Sequence, residues 1–309
     1  MGKTALFAQQ QPGGLFAIED QSRTTGARFF VHATTGTDAA GYGTHPDAPV
    51  ASLDYAIGLC TASKGDVIYA MPGHAETTTA IALDVAGVSI VGLGTGATKP
   101  TLTATTAATD LLNITAANCS IDGIRFVGAA SGNTALVDLG ATSSDAYFGP
   151  RCEFLQAATP LSAITVSGAS NGADGFIFDG CLFRGTANGP DRVFSIETGT
   201  DRWIIRNCTF LYPSGLDNEL VKSVAVCEGY LIENVRVIGV DTLLVNFSSS
   251  SAGGPDGLFA SGYVMASAAL ASIEDMVAAA TSKGMAFGRL YAADATGKAS
   301  GLIPLTTIS

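Results

Sequence analysis

The fold of this chain is indicated by the stretch Ile-Asp-Gly-Ile-Arg-Phe at residues 121–126, which returns every 27 to 29 residues through the middle of the sequence. Close copies read Phe-Asp-Gly-Cys-Leu-Phe at 178–183, Ile-Arg-Asn-Cys-Thr-Phe at 205–210 and Ile-Glu-Asn-Val-Arg-Val at 232–237. A looser copy with one extra residue lies at 148–154. A repeat of fixed period in this range indicates stacked supersecondary units.

Each copy of the motif predicts a strand, a sharp bend and a second strand. Apolar residues alternate around a central Gly or Asn, and alternation is the period of a β-strand. Gly and Asn tolerate the left-handed backbone region that a sharp bend needs. The sequence therefore predicts an all-β fold, a right-handed parallel β-helix with one coil per repeat. Six copies, counting a degenerate one at 90–93, give a rod about 30 Å long. The alternative is an antiparallel sandwich with accidental similarity.

The position after the Gly or Asn holds residues that we expect to stack inside the coil: Ile124, Cys152, Cys181, Cys208 and Val235. Free cysteine behaves as a small buried hydrophobe. A metal site or disulfides are the alternatives, but the six cysteines lack the spacing typical of metal ligands, and equivalent positions on one face favour packing. The same reasoning predicts an asparagine ladder at the bend, from Asn207 to Asn234.

The composition limits the classes of function. Of the 309 residues, 47% are hydrophobic and 14% charged, and 27 carboxylates against 16 bases give a net charge of −11. This acidic balance argues against a nucleic-acid-binding surface. The sequence contains no run of 18 apolar residues, so it predicts no membrane-spanning helix. The start of the chain lacks the apolar run of a secretory signal. Unpaired cysteines then fit assembly in a reducing cytosol.

The sequence divides into three parts. Residues 1–27 form an extended polar arm whose isolated apolar residues we expect to bind a neighbouring subunit: Leu6, Phe7, Leu15, Phe16 and Ile18. Residues 28–247 form the β-helix with its N-terminal cap. Residues 248–309 begin with a Ser/Gly-rich linker and continue as a small α/β segment, either a cap for the far end or a docking segment. An Ala-rich helix is predicted there from 266 to 282.

The N-terminal cap is predicted from a strand, a loop, a short helix and a second strand. The first strand lies at 28–31, the helix opens after Ser52 as N-cap, and the second strand runs from 67 to 71 and ends at Pro72. The helix is expected to plug the open end of the coil, because a terminal repeat must cover an exposed core.

Residues of this cap carry a resemblance to a known family. They are Gly-Thr-Asp at 36–38, Ser-Leu at 52–53, Gly-Asp-Val-Ile at 65–68 and Pro-Gly-His-Ala-Glu-Thr at 72–77. The pattern resembles the N-terminal cap of pectin-lyase-like right-handed β-helix proteins, and its extended form resembles β-helix structural proteins of tailed bacteriophages. The resemblance covers residues 29–95. It implies the fold more specifically than the role.

Catalysis in that family would use clustered carboxylates, with calcium and a base in lyases, or a pair at a fixed distance in tailspike hydrolases. Carboxylates on the predicted coils are sparse: Asp122, Asp174, Asp179, Asp191, Glu197, Asp201 and Glu233. Asp122, Asp179 and Glu233 share the motif position before the bend. We interpret them as a solvent-exposed row of carboxylates in preference to a catalytic site. Cap residues interpreted as structural or isolated are Asp54, His74, His32 and His45. We therefore expect no catalytic residue, no metal and no cofactor.

The sequence favours a non-enzymatic structural protein of a bacteriophage virion, a decoration or cement protein on the exterior of the capsid. The family resemblance implies a homotrimer, assembled in the host cytoplasm, that contacts the major capsid protein or other virion proteins and binds neither nucleic acid nor membrane. One alternative is a tail fibre or tailspike that binds or depolymerises host surface polysaccharide. Another is a bacterial surface enzyme of the pectin-lyase-like type.

Overall fold

The chain winds into a parallel β-helix in which each coil contributes three strands. The computed structural model describes residues 26–104, 109–130, 134–140, 142–157, 162–185, 192–216, 219–225, 227–240, 245–247, 256–266, 277–278, 285–293 and 299–302. Within this part, strands of successive coils pair in parallel and form three ladders along the axis. The parallel β-helix predicted from the repeat is confirmed.

Three ladders contain the strands. The first contains β1 (Arg28–Val31), β2 (Val67–Ala70), β5 (Ser89–Gly92), β8 (Ser120–Asp122), β11 (Tyr147–Phe148), β14 (Ile177–Asp179), β17 (Ile204–Arg206) and β20 (Glu228–Glu233). The second contains β3 (Ala75–Thr78), β6 (Thr101–Ala104), β9 (Arg125–Gly128), β12 (Glu153–Gln156), β15 (Leu182–Gly185), β18 (Thr209–Leu216) and β21 (Val235–Val240). The third contains β4 (Ile81–Leu83), β7 (Leu112–Ile114), β10 (Ala135–Leu139), β13 (Ser162–Val166), β16 (Arg192–Ile196), β19 (Glu219–Ser223), β22 (Val245–Phe247) and β24 (Val277–Ala278).

Two long strands extend the first and second ladders together. They are β23 (Asp256–Ala266), which pairs with both β20 and β21, and β25 (Met285–Ala293), which pairs with β23 along its length. A last strand, β26 (Ala299–Leu302), runs antiparallel to β25. The parallel ladder therefore continues past residue 247, where the sequence placed its end.

The bend of each motif copy lies between the first and second ladders. The central residue has a positive φ in all four close copies: 76° at Gly123, 67° at Gly180, 55° at Asn207 and 47° at Asn234. Only Gly and, at some cost, Asn adopt this left-handed conformation readily, so the motif fixes where the chain turns. At Gly180 a side chain would also lie 2.7 Å from the Cβ of Pro150 in the preceding coil.

The interior consists of like residues stacked along the axis. The motif phenylalanines form one column, Phe126, Phe154, Phe183 and Phe210, with successive ring centroids 5.0, 4.5 and 4.9 Å apart. A second aromatic column contains Phe176, Trp203 and Tyr230 at 5.7 and 4.7 Å. All these side chains are buried. Parallel stacking of aromatic rings adds to the area that the coil buries, so the strand register is strongly specified.

The open end of the coil is closed by helix α1 (Leu53–Gly58), as the sequence predicts. Ser52 is its N-cap, and the Ser52 hydroxyl accepts a hydrogen bond from the Tyr55 N–H at 3.3 Å. Three side chains of α1, Leu53, Ala56 and Ile57, are buried against the first coil. A short 3₁₀ helix, Gly96–Thr98, joins the first ladder to the second.

The helix predicted from residue 266 to 282 is wrong at the positions that the structure describes. Ala266 ends β23, and Val277–Ala278 forms β24, which pairs in parallel with Val245 and Asn246 of the preceding coil. Residues 267–276 and 279–282 lie outside the described residues. Alanine-rich composition favours a helix locally, but pairing with a ready strand edge overrides that propensity.

Candidate functional site

Ion pairs between neighbouring coils occupy two of the three carboxylates that the sequence placed before the bend, Asp122 and Asp179. The Arg151 guanidinium donates to Asp122 Oδ2 at 2.6 Å, and the Arg206 guanidinium donates to Asp179 Oδ2 at 2.8 Å. The Asn207 side-chain amide donates to Asp179 Oδ1 at 2.8 Å. Each donor belongs to the coil that follows its acceptor. These carboxylates, which the sequence placed in one stripe, therefore link coil to coil.

The charge on Asp179 is stabilised by this arrangement. Partial burial by itself would raise the pKa of Asp179, but the hydrogen bonds from Asn207 and Arg206, together with the Arg206 charge, hold it below its ordinary value. The hydrogen bond to Asp179 in turn raises the pKa of Arg206. A carboxylate that stays ionised and paired is poorly suited to donate a proton, since a general acid needs a raised pKa.

Two further sequence candidates, Asp174 and Asp201, lie in the loops that precede β14 and β17. Asp174 Oδ1 accepts from the Asp201 N–H at 2.8 Å, and Asp174 Oδ2 lies 3.2 Å from the Arg202 guanidinium. Asp201 Oδ1 accepts from the Glu228 N–H at 2.8 Å. Both carboxylates thus satisfy backbone or side-chain donors of the next coil. Asp191 lies outside the described residues.

Among the described residues, the most extensive charge cluster is centred on Glu153, which the sequence did not single out. Glu153 Oε2 accepts from Arg125 Nε at 2.8 Å and lies 3.7 Å from Lys99 Nζ, and Glu153 Oε1 lies 2.6 Å from Arg184. The Glu153 side chain is only 6% exposed. The three bases come from three different coils, so one carboxylate joins them. The only sequence signal is that Arg125 and Glu153 occupy the same motif position in successive copies.

A second group of carboxyls lies on the third ladder. Asp138 is 4% exposed, and its Oδ2 accepts from the Ser167 hydroxyl at 2.7 Å. Burial raises the pKa of Asp138, and burial together with the Asp138 charge raises the pKa of Asp110 to about 6. Glu197 adds to the repulsion on both groups. Among the described atoms, one oxygen each of Asp110 and Asp138 is buried without a hydrogen-bond donor.

Histidines and acids of the cap make structural contacts. His74 is buried, its Nδ1 accepts from the Ala33 N–H at 3.0 Å, and its Nε2 lies 3.2 Å from Glu76 Oε2. Glu76 Oε2 also accepts from the Leu53 N–H at the start of α1. Asp54 accepts from the Ala82 N–H at 3.2 Å. These bonds join the helix to the first coil.

The two other histidines bind residues close in sequence. His32 Nδ1 accepts from the Thr35 N–H at 3.2 Å, and His45 Nδ1 accepts from the Asp47 N–H at 3.3 Å. In the described part of the chain, no three His, Cys, Asp or Glu side chains gather as metal ligands would. Nor does that part contain a helix with the length and apolar character to span a membrane.

The residues expected to stack in the core occupy equivalent positions of successive coils. All five are at most 2% exposed: Ile124, Cys152, Cys181, Cys208 and Val235. Burial, followed by the neighbouring Cys152 and Cys208 thiols, raises the pKa of the Cys181 thiol. Burial and the charge of Asp66 also raise the pKa of Cys60, to about 12. Thiols with raised pKa values are weak nucleophiles.

The expected asparagine ladder is present and longer than the sequence indicated. The Asn234 side-chain amide donates to Asn207 Oδ1 at 2.8 Å, and the Asn234 N–H donates to the Ser261 hydroxyl at 2.9 Å. The ladder thus runs from Asp179 to Ser261. The arm residues Leu6, Phe7, Leu15, Phe16 and Ile18 lie outside the described residues.

Comparison with known proteins finds solved structures with a similar fold but no matching sequence family. No protein-family model matches the chain, and no curated protein sequence matches it. Pectate lyase Pel9A is similar in structure, with 13% identity and a TM-score of 0.52 over 91% of this chain and 83% of the enzyme. Pectin methylesterase from Aspergillus niger is also similar, with 12% identity and a TM-score of 0.50 over 92% of this chain and 91% of the enzyme. Such identities show the right-handed parallel β-helix and leave activity open.

A viral protein is also among the similar structures. ORF18 of Geobacillus virus E2 is 13% identical with a TM-score of 0.36, over 78% of this chain and 56% of the viral protein.

Proposed function

We propose that this chain is a non-enzymatic structural protein of a tailed-bacteriophage virion, a decoration or cement protein on the exterior of the head. In this role it forms a homotrimer and binds the major capsid protein or other virion proteins. The arm, residues 1–27, supplies contacts to neighbouring subunits. The sequence resemblance of the cap to phage β-helix proteins supports the viral setting, and the fold supports a rigid, elongated module.

The observation that carries this proposal is the use of the outward carboxylates. Asp122, Asp179 and Glu153 each bind a base of a neighbouring coil at 2.6 to 2.8 Å. Side chains engaged in this way stiffen the rod and hold its register, but they are not free to attack or protonate a substrate. The geometry therefore supports a role in which the shape and surface of the rod are what matters.

Cryo-electron microscopy of purified virions tests the location. We expect density for a β-helical rod on the outer face of the capsid, with three rods around each occupied lattice point. Immunogold labelling with an antibody against the rod should mark heads and leave tails unlabelled. Virions without any density for this chain, or label confined to the tail, would falsify the head assignment.

A tailspike or tail-fibre module is the second candidate, and the third ladder favours it. The carboxyl of Asp110, whose pKa is raised to about 6, has the property that glycoside hydrolases give to their general acid. Incubation of the pure protein with host capsule or lipopolysaccharide, followed by measurement of new reducing ends, separates the two candidates. Release of saccharide by the wild type, lost in Asp110→Asn, would favour the tailspike.

A further inference from the structure

The outer face of the first ladder carries an apolar cluster at its N-terminal end. Val67, Tyr69 and Val91 form this cluster, which is separate from the main core, and Phe30 packs against it. All four residues of β2 are buried, and Val67 and Tyr69 are 2% and 5% exposed. A strand that is buried on both faces has further groups over its outer side. The ladder is therefore a contact surface here.

A cleft of about 390 Å³ continues from this cluster along the axis of the rod. The strand register places outward side chains of four successive coils in one line along it: Val67, Ser89, Ser120 and Tyr147. Pro150 also lines the cleft. Three coil steps separate Val67 from Tyr147, which corresponds to about 14 Å, the length of about four residues of extended chain.

The N-terminal arm joins the described structure beside this cleft. Gly26 is the first described residue. The Ala27 N–H donates to Asp66 Oδ1 at 2.6 Å, and the Ala27 carbonyl accepts from the Val67 N–H at 2.9 Å. Val67, the first residue along the cleft, is thus a direct neighbour of the point where the arm is attached.

One segment of the arm matches the cleft in length and character, Leu-Phe-Ala-Ile at residues 15–18. In an extended chain Phe16 and Ile18 lie on the same side, because side chains alternate. Eight residue steps lead from Ile18 to Gly26 and span at most about 27 Å, against about 14 Å for the cleft. The connection is therefore long enough for the arm to turn and lie along the ladder.

We propose that residues 15–18 of the arm dock in this cleft of their own chain. Phe16 and Ile18 cover the apolar cluster and pack towards Tyr147, which removes apolar surface of both segments from water. Leu6 and Phe7 lie beyond the Gln/Pro/Gly stretch and remain for a neighbouring subunit. The docking lies within one chain, so it goes beyond the proposed place in a virion and does not depend on it.

Two other pairings of surface and segment are less suitable. Strands β10 and β13 of the third ladder are also buried on both faces, but their outward residues include Asp138 and Thr165, which do not suit an apolar segment. Residues 303–309 follow β26 at the opposite end of the rod, five coil steps beyond Tyr147. The arm is the segment attached beside the cleft.

Limited proteolysis of the full-length protein with trypsin tests the docking. Lys3 and Arg23 are the basic residues of the arm, and they flank residues 15–18. A docked segment holds Arg23 close to the rod, so we expect slow cleavage after Arg23 and fast cleavage after Lys3. Phe16→Ser should accelerate cleavage after Arg23 about tenfold or more. Phe7→Ser, the same change outside the docked segment, should alter that rate less than about twofold.

A substitution on the other side of the contact should have the same result. Ser120→Glu places a charge in the cleft and should also accelerate cleavage after Arg23 about tenfold. Thr103→Glu, on the outer face of the second ladder, is its matched control and should leave the rate unchanged. Circular dichroism checks that both variants keep the β-helix.

A disulfide cross-link identifies the copy that supplies the arm. In the double variant Ile18→Cys with Ser120→Cys, mild oxidation should give a link within one chain, seen as a monomer on a non-reducing gel and located by mass spectrometry. Ile18→Cys with Thr77→Cys, at an exposed position of β3, should remain reduced. Ile18→Cys alone controls for linkage to a native cysteine.

Two results would overturn the proposal. Covalent dimers of the double variant would assign the cleft to the arm of a neighbouring copy. Equal rates of cleavage after Arg23 in wild type, Phe16→Ser and Phe7→Ser would show that residues 15–18 are not docked. Neither result bears on whether the chain decorates the capsid, which the images of virions decide.

Discussion

The outer face of the second ladder has two regions that use the same residue types differently. Around β12, Glu153 is nearly buried and binds Lys99, Arg125 and Arg184. Further along, Arg236 in β21 and Arg289 in β25 have no acidic partner among the described residues, and Tyr263 and Tyr291 occupy the column that Glu153 occupies in β12. Charges satisfied within the protein hold coils together, whereas these two arginines provide no such link. Linkage of coils by charge is thus confined to part of this surface.

Removal of the Glu153 charge should give the largest effect on stability. In Glu153→Gln three bases remain close together without a counter-charge, and breaking a largely buried ion pair costs about 3 kcal/mol. Urea denaturation followed by circular dichroism should show this loss at pH 7 with an unchanged m-value. Glu228→Gln, at an exposed position of β20, is the matched control and should change the free energy of unfolding by less than about 0.5 kcal/mol.

An equal response of the two glutamine variants would contradict this account. It would mean that the Glu153 cluster contributes no more to stability than an exposed carboxylate does, and the contrast between the two regions would disappear.

Substitution at the bend between the first and second ladders should give the next largest loss of stability. Asn234 has a φ of 47°, and an alanine in the left-handed region costs about 1.5 kcal/mol relative to a residue that tolerates it. Asn234→Ala should therefore lower the free energy of unfolding by about that amount. Asn234→Gly keeps the backbone conformation and loses only the bond to Asn207, so a smaller loss is expected. If glycine is no better than alanine, backbone strain is not the cause.

The raised pKa of Asp110, beside the third ladder, predicts that the stability of the protein depends on pH. The folded pKa of Asp110 is about 6, above the ordinary 3.8, so the folded state binds this proton more tightly than the unfolded state. The contribution of Asp110 to stability is then greatest below pH 4 and is lost as the pH rises through 6. Two pKa units correspond to roughly 3 kcal/mol, which solvent screening of a partly exposed group reduces to about 1 kcal/mol.

Asp110→Asn should consequently stabilise the protein at pH 7.5 by about 1 kcal/mol and leave it nearly unchanged at pH 4. Thermal denaturation at both values measures the difference between variant and wild type. The exposed Asp84→Asn serves as control and should show no such difference. A variant that is less stable than wild type at pH 7.5 would show that the ionised Asp110 carboxylate has a favourable partner.

The smallest effect is expected at the aromatic end. Tyr291 is half exposed, so Tyr291→Ser should change the free energy of unfolding by less than about 0.5 kcal/mol. The measurement is the same urea titration. A loss above 2 kcal/mol would place Tyr291 in the structural class with Glu153, and the separation of the two regions would fail.

The features that follow from local chemistry were accessible from the sequence. The repeat, the bend at Gly123, Gly180, Asn207 and Asn234, and the capping helix after Ser52 all depend on residue type at a fixed spacing. The strands of the third ladder were not assigned individually, because they lie between the motif copies and carry no common pattern.

Features that depend on which coils become neighbours were not accessible. Nothing in the motif shows that Lys99 and Arg184 converge on Glu153, since they lie far apart in the chain. The same applies to the register that places Tyr291 on Tyr263. Local propensity even misled at Val277–Ala278, where pairing with β22 replaced the expected helix.

The constant register of the coils gives the molecule a unit of length. Phe178, Ile205 and Ile232 align without a shift, 27 residues apart, and among the described residues their strands β14, β17 and β20 pair with the strands of the coils before and after them. Deleting or duplicating one such 27-residue segment would change the rod by about 4.8 Å while preserving both ends. The number of repeats encoded in the gene therefore sets the length of the rod.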